Sequence, residues 1–465
     1  MRTKKAILKV LFLLALFAVI QPTDVFSQEE EEEEDVENTD GTKYGTDSVE
    51  CVKNLSLYSL YVKQKNYKDA LMGWRYVFEN CPKSRRSIYS HGVKIFKHLI
   101  ENTKDEELKK KYIDTLLMIY DRRIEYFGDY AKYPEGWIRG RKGSAIMKYN
   151  KDAEAAYEEL AKSVEMREKK TEAGVITYFM QTTIILYKKE VVDKPTAIDN
   201  YVTSYMITEH NIQKIKSSQL TQQKKDKILE GLNKVTAYID GLFRQNFEED
   251  ADAIVEYFTP KYQETANDPE LLQAIIHTLD VIKNSDPDIY YEAAIKLDSI
   301  QPSAKSAYNI AQMSFNRNNY SKAAKYYKKV IEREENDADK ADAYCELAFT
   351  NIKLGQYSQA AVNAQEAKKR KENWGKPYIA IAMSYSLRSK SCGNSFEQKT
   401  VFWAAVDVLN TAKAKDPKFA DEANKLIGKY SQYFPGTEDC HMYISKIDGS
   451  YTVPCLGVET TVRCR

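Results

Sequence analysis

The sequence predicts an all-α protein, a solenoid of stacked helix pairs closed at its C-terminal end by a small β-hairpin. Three observations carry this. A Tyr-x-x-Ala element recurs as NYKDA (66–70), NYSKA (319–323) and QYSQA (356–360), with weaker versions at Tyr290-x-x-Ala293 and Phe402-x-x-Ala405. The segments between carry apolar residues at three- and four-residue spacing, the period of a helix with one buried face. In 465 residues there are only 18 Gly and 12 Pro against 34 Tyr, which favours long helices with short connections.

The N-terminus reads as a leader rather than as fold. Arg2, Lys4 and Lys5 precede the apolar run VLFLLALFAVI (10–20), and Val25 and Ser27 are placed for cleavage between Ser27 and Gln28. The run is shorter than the roughly 20 residues a membrane span needs, so residues 1–27 are expected to be a secretory signal peptide. The first cysteine is Cys51, which argues against a lipid-anchored N-terminus. Residues 28–46 follow as an acidic spacer with nine Asp and Glu between Glu29 and Asp40; such a block repels itself, buries nothing and is expected to be disordered. Over the whole chain Lys and Arg total 69 against 68 Asp and Glu, a balance that gives no argument for a nucleic-acid partner.

The body divides into helical repeats over 47–245, further repeats over 246–432 and a cap over 433–465. In the first repeat Leu57, Tyr61, Ala70, Trp74 and Pro82 fall at fixed offsets; Ala323 and Tyr327, then Leu347, Ala348 and Ala360, then Ala405, Leu409 and Pro417, occupy matching offsets later. This pattern resembles the tetratricopeptide repeat (TPR), although the family's leading Trp is missing and the copies are spaced 37 and 45 residues apart rather than 34. An insertion, SLRSKSCGNSFEQKT (386–400), separates the helices of the last copy. The resemblance implies a right-handed TPR-like solenoid. In each pair, Ala sits where two antiparallel helices cross most closely, the large residue four positions on fills the gap to the next pair, and Pro82 stops the second helix.

Between 84 and 300, IYSHGVKIFKHLI, KKKYIDTLLMIYDRRIEYF, AEAAYEELAKSVEM, EAGVITYFMQTTIILYKK, PTAIDNYVTSYMI and PELLQAIIHTLDVI all read as helices, punctuated by Pro195, Pro260, Pro269, Pro287 and Pro302. Pro134-Glu-Gly and Gly140-Arg-Lys-Gly143 read as a bend, and the acidic FEEDADA with nearby prolines suggests a kink near 245–270. At the C-terminus, HMYISKI and SYTVPCL flank Asp448-Gly449, a strong hairpin signal, and ETTVRC reads as a third short strand.

Seven cysteines fit an oxidising compartment. Cys51 begins one helix and Cys81 ends its antiparallel partner, so a bridge between them is expected. Cys440 and Cys455 either face each other across the hairpin or one of them reaches Cys392; Cys345 reads as a buried thiol.

Signals for chemistry are sparse. His91, His98, His210, His277 and His441 have no Cys or acidic partner at metal-ligand spacing, and no G-x-S-x-G, Walker loop or H-E-x-x-H occurs. The expectation is a non-enzymatic protein without metal or cofactor. By the tetratricopeptide resemblance, the first helix of each pair lines a groove for extended or helical peptides, here drawing on Tyr58, Tyr61, Asn309, Met313, Asn351 and Tyr385. The Gln-initiated mature end, acidic spacer, tyrosine-rich repeats and FPGTEDC segment also resemble exported repeat proteins of Bacteroidota. That resemblance implies the periplasm or the periplasmic face of the outer membrane, a protein or peptide partner in an envelope complex, and, as an alternative, capture of a glycan or peptide ligand.

Overall fold

The computed structural model of the protein describes residues 43–444 and 449–465. The expected leader, the Ser27/Gln28 cleavage point, most of the acidic spacer and the Ser445–Asp448 part of the expected hairpin lie outside the described residues. The remainder of the spacer, Lys43–Thr46, is not separate from the fold, because Tyr44 packs against the first hydrophobic core.

The chain folds as stacked α-helices with a small C-terminal antiparallel β-hairpin, in two compact units. One unit runs to Lys261 and takes in His277–Asn284; the other holds Tyr262–Ile276 and Ser285–Arg465. The division therefore falls inside helices α10 (Ala251–Thr265) and α11 (Pro269–Val281), within the acidic, proline-containing region, but Pro260 lies inside α10 rather than ending it.

The first unit contains α1 (Ser48–Lys63), α2 (Tyr67–Asn80), α3 (Ser87–Asn102), α4 (Glu106–Phe127), α5 (Glu135–Ala145), α6 (Ala153–Arg167), α7 (Ala173–Lys188), α8 (Lys194–Ser217) and α9 (Gln222–Phe247). Starts are set by side-chain caps: Asp47, Asp105, Asp152 and Asp193 each accept from a backbone N–H in the first turn of α1, α4, α6 and α8. In α1–α2 the expected packing code holds at the second helix, where Ala70 and Trp74 are buried and Cys81 caps the end just before Pro82. It slips at the first. Cys51, Leu55, Tyr58 and Val62 form the buried face, while Leu57 is 45% exposed and Tyr61 is half-buried.

Gly140 and Gly143 do not make a bend; both lie inside α5. A Cβ at Gly140 would sit 2.6 Å from Ser163 Oγ and 2.8 Å from Val175 Cγ2, and one at Gly143 2.7 Å from Leu160 Cγ. The glycines let α5 lie directly against α6 and α7.

The second unit contains α12 (Asp288–Ile300), α13 (Ala304–Asn316), α14 (Tyr320–Arg333), α15 (Asp337–Lys353), α16 (Tyr357–Arg370), α17 (Lys376–Leu387), α18 (Ser395–Lys415), α19 (Ala420–Ser431) and α20 (Thr437–Tyr443). The helix hairpins α13–α14, α15–α16 and α17–α18 each pack within themselves and onto the next, as the recurring Tyr-x-x-Ala predicts. Ala323, Ala360 and Ala405 are completely buried at the crossings. The expected insertion is short, since Ser395 already opens α18 through a capping box of Asn394 and Glu397.

The cap differs from expectation in its strands. HMYISKI does not begin as a strand: His441, Met442 and Tyr443 close α20, whose first turn carries Glu438 and Asp439 at the positive end of the helix dipole. The hairpin lies one step later, β1 (Ser450–Val453) against β2 (Val458–Thr461), with Ser450 opposite Thr461 and Val453 opposite Val458. Its turn is Pro454–Gly457, with Gly457 at φ 64°. The hairpin packs on α18, where Trp403 donates its indole N–H to the Arg463 carbonyl at 2.5 Å.

Candidate interaction face

In the second unit the first helices of three consecutive pairs, α13, α15 and α17, carry a common strip of half-buried polar and aromatic groups. Asp342, Glu346 and Phe349 stand at i, i+4 and i+7 on α15, hence on one face, and each is half-buried. Lys371, just past the end of α16, reaches back to Asp342 at 3.0 Å, and Lys376, the first residue of α17, ion-pairs with Glu346. The Lys376 ammonium also lies 5.5 Å from the Phe349 ring centre. On the preceding pair, Tyr308 shares the field of Glu346, Asp342 and Lys376.

Burial opposes the charge on Lys376, but the hydrogen bond and charge of Glu346 outweigh it and hold the ammonium above its usual pKa. Burial, then Glu346 and Asp342, push the Tyr308 hydroxyl up. The strip is thus a row of fixed charges and hydrogen-bonding groups, and its Glu346–Lys376 pair bridges one helix pair to the next.

The residues proposed from sequence for the peptide face do not assemble into it. Tyr58, Asn351 and Tyr385 are buried at 0, 1 and 6% exposure. Tyr61 and Met313 are half-buried, and only Asn309 is exposed. Tyr58 and Tyr61 belong to the first unit and the other four to the second. Asn351 lies one repeat of 37 residues after Ser314, and both are wedged at the helix crossing; Ser314 Oγ donates to the Ile310 carbonyl and meets Tyr291 Oη at 2.6 Å. The polar strip sits one turn earlier, where Asn309 corresponds to Glu346. An acidic pair on one helix, with one lysine at the end of its partner helix and another at the start of the next pair, was the available signal.

The cysteines are placed plainly. Cys51 is bonded to Cys81. Cys440 is bonded to Cys464, and Cys455 to Cys392, so the direct Cys440–Cys455 pairing across the hairpin does not form. The reason is geometric: Cys440 is on α20, not on a strand. Cys345 is a buried thiol whose pKa burial pushes up strongly.

His91 and His98 lie on one face of α3, but the face is not free surface. His91 meets the edge of Tyr58 at 5.8 Å, His98 packs on Tyr67 at 4.9 Å, and burial with Lys94 and Lys63 lowers His91 to about 4. The cluster nearest in type to acid–base machinery is in the first unit. Tyr201 donates to Asp240 at 2.8 Å, His277 Nε2 lies 3.0 Å from the same oxygen, and the imidazole stacks on Tyr205 at 3.9 Å. These groups are spent on one another and the ring face is covered, which describes a structural lock. The Arg139 and Lys142 side chains beside Gly140 and Gly143 are likewise paired internally, with Glu159 at 2.8 and 3.0 Å. Among the described residues no group of three His, Cys, Asp or Glu side chains is placed to hold a metal ion, and no helix is long and apolar enough to cross a membrane.

No family model matches this chain, and no curated protein matches it. Several solved structures are similar. The TPR2AB-domain:pHSP90 complex of yeast Sti1 matches at 16% identity over 64% of this chain and 98% of that one, with a TM-score of 0.24. The Cut9–Hcn1 hetero-tetramer of APC/C matches at 10% identity over 82% and 96%, with a TM-score of 0.38. The human IFIT1 dimer with PPP-AAAA matches at 14% identity over 85% and 91%, with a TM-score of 0.25. At TM-scores this low the likeness carries no argument, and the helical-repeat assignment rests on the chain's own helix pairs.

Proposed function

We propose that this protein is a non-enzymatic scaffold that holds a polypeptide partner on the first helices of its C-terminal repeats, and that it does so outside the cytoplasm, in the periplasm or at the outer membrane. The observation that carries the binding reading is the α13–α15–α17 strip, where Asp342–Lys371 closes one pair and Glu346–Lys376 bridges it to the next on a half-buried, aromatic-flanked face. The leader expected at residues 1–27 and the three disulfides support the location. A partner belonging to an envelope complex follows from that location.

Affinity purification from the native envelope in mild detergent tests the reading. The unsubstituted protein should retain a stoichiometric partner, and Glu346→Lys should weaken that partner by at least about tenfold, or ~1.4 kcal/mol. A partner held equally by Glu346→Lys and Lys376→Glu would remove the strip from the function. Stabilisation by oligosaccharides in a thermal-shift screen, with no protein retained, would replace the scaffold by a glycan-capture reading.

A further inference from the structure

Helices α8 and α9 form a hairpin whose tip stands clear of the core. The last buried residue of α8 is Ile212 and the first of α9 is Leu232, with none between them. The exposed start of α9, Gln222–Gly231, is about 15 Å of helix. The tip, Gln213–Ile228, carries Lys214, Lys216, Lys224, Lys225 and Lys227 against one acid, Asp226. Asp226 accepts from the Gln222 amide at 2.8 Å, and the Lys225 ammonium donates to the Lys216 carbonyl at 3.0 Å. Among the described residues no carboxylate forms an ion pair with any of the five lysines.

This placement works against the helix. Lys214 and Lys216 lie in the last turn of α8, where a cation suits the helix dipole. Lys224, Lys225 and Lys227 fill the first turns of α9, where it does not. Where α1, α4, α6 and α8 open on an aspartate cap, α9 opens on Thr221 with no side-chain cap and no acid in its first turn. Leu220, in the turn between the helices, is 39% exposed. Helix stability therefore accounts for neither the lysines of α9 nor the leucine.

We propose that this tip docks on a lipid bilayer carrying anionic headgroups, with the lysines over the phosphates and Leu220 entering the boundary between headgroups and acyl chains. Shape and charge select this partner. A projection offers no concave site for a small anion. Unpaired lysines spread over two helices call for an extended negative surface, and anionic headgroups supply one, at about fivefold in affinity per lysine. An exposed leucine among lysines adds to binding where an apolar layer lies beneath the charged one, which a bilayer has and an acidic polypeptide lacks. The contact stays at the surface, since no described helix is long and apolar enough to cross a membrane. It lies in the first unit and does not depend on the α13–α15–α17 strip.

Co-sedimentation of the purified protein with phosphatidylglycerol-containing vesicles tests this, its N-terminus read by mass spectrometry to confirm that the apolar run 10–20 has been removed. Phosphatidylcholine vesicles and polyglutamate beads are the comparisons. The protein should pellet with the anionic vesicles and not with phosphatidylcholine, and binding should fall as salt rises from about 0.05 to about 0.5 M. Lys216→Gln, Lys224→Gln and Lys227→Gln together should weaken it by roughly a hundredfold, and Leu220→Ser by at least about threefold. Lys110→Gln, Lys111→Gln and Lys162→Gln together remove the same charge from other exposed positions and should leave binding as in the parent. All these positions are exposed, so every variant should melt with the parent, and melting curves serve as the control. No pelleting with anionic vesicles, either tip variant binding as well as the parent, an equal loss in the control variant, or capture by polyglutamate with the vesicles left unbound would each overturn the proposal.

Discussion

Arg333 on α14 donates to the carboxylate of Asp298 on α12 at 2.5 Å, and Asp298 is 1% exposed. Lys329 and Ser306 donate to the same side chain at 3.2 and 2.7 Å. Burial alone would raise the Asp298 pKa, but hydrogen bonds from Arg333, Ser306 and Lys329 outweigh it and hold the carboxyl below its usual range. The contact ties α12, α13 and α14 where the recurring pairs begin. Arg333→Met leaves a buried carboxylate with weaker compensation and should cost roughly 2–4 kcal/mol in urea unfolding near neutral pH. The native value lies below the unfolded value of about 3.9, so the contribution is complete above that pH and is lost as pH falls through the native value. Asp298→Asn should flatten the acid limb of the stability–pH curve; an unchanged acid limb would show that the charge is not held as described.

Trp74 and Gly92 are fitted to each other across two helix pairs. The Trp74 indole donates to the Ile88 carbonyl at 2.7 Å, and a Cβ at Gly92 would lie 2.6 Å from Trp74 Cζ2. Trp74→Phe should destabilise by about 1–3 kcal/mol through lost volume and the lost hydrogen bond, and Gly92→Ala by about 1–3 kcal/mol through overpacking. The smaller ring makes room for the added methyl, so the double variant should cost less than the sum by at least about 0.5 kcal/mol. Strict additivity in a denaturation cycle would mean that the two sites do not share the packing.

What the sequence made legible was the repeat, because Tyr-x-x-Ala reports a crossing where only a small residue fits, and Ala70, Ala323, Ala360 and Ala405 are all completely buried. The side of the first helix was not legible. α1 has apolar residues all round, so periodicity could not choose Leu55 and Tyr58 over Leu57 and Tyr61. The same ambiguity misplaced the expected peptide face: Asn351 and Tyr385 look like surface groups in sequence but are buried, while Asp342, Glu346 and Lys376 look like ordinary solvated charge. The expected strand over HMYISKI was misread at its start, because the acids Glu438 and Asp439 in the first turn and the Cys440–Cys464 bond favour a helix over Thr437–Tyr443. Gly140 and Gly143 misled because glycine also serves close helix contact, which local sequence does not distinguish from a bend.

Three helix hairpins turn through a left-handed residue at the same place, two positions before the tyrosine: Lys65 at φ 57°, Asn318 at 59° and Gly355 at 73°. Only glycine adopts this region without steric cost, while other L-residues lose roughly 1–2 kcal/mol. Gly355→Ala should therefore lower stability by about 1 kcal/mol or more, although a Cβ there would meet nothing within 4 Å. Lys65→Gly should raise it by about 0.5–1 kcal/mol. Equal melting temperatures for the two variants would place the turn energetics elsewhere.

The C-terminal disulfides cross in sequence, because Cys440 lies inside the Cys392–Cys455 loop and Cys464 outside it. Cys455 is the nearest neighbour in sequence of both Cys440 and Cys464, so random early closure consumes the thiol that the native pairing reserves for Cys392. Oxidation of the reduced, unfolded chain without a thiol buffer should therefore give mostly species with Cys455 bonded to Cys440 or Cys464, whereas a glutathione buffer should convert them to the native pairs by exchange. Peptide mapping after alkylation reads the outcome, and quantitative native pairing without exchange would contradict it. Loops of 63 and 24 residues place each bond at about 3–4 kcal/mol of chain-entropy stabilisation. Replacing either pair by serine should loosen the β1–β2 hairpin from α18 and expose it to protease, while the Cys51–Cys81 repeat keeps its protection. Cleavage that begins in α1–α2 instead would show that the cap does not set the stability of its own end.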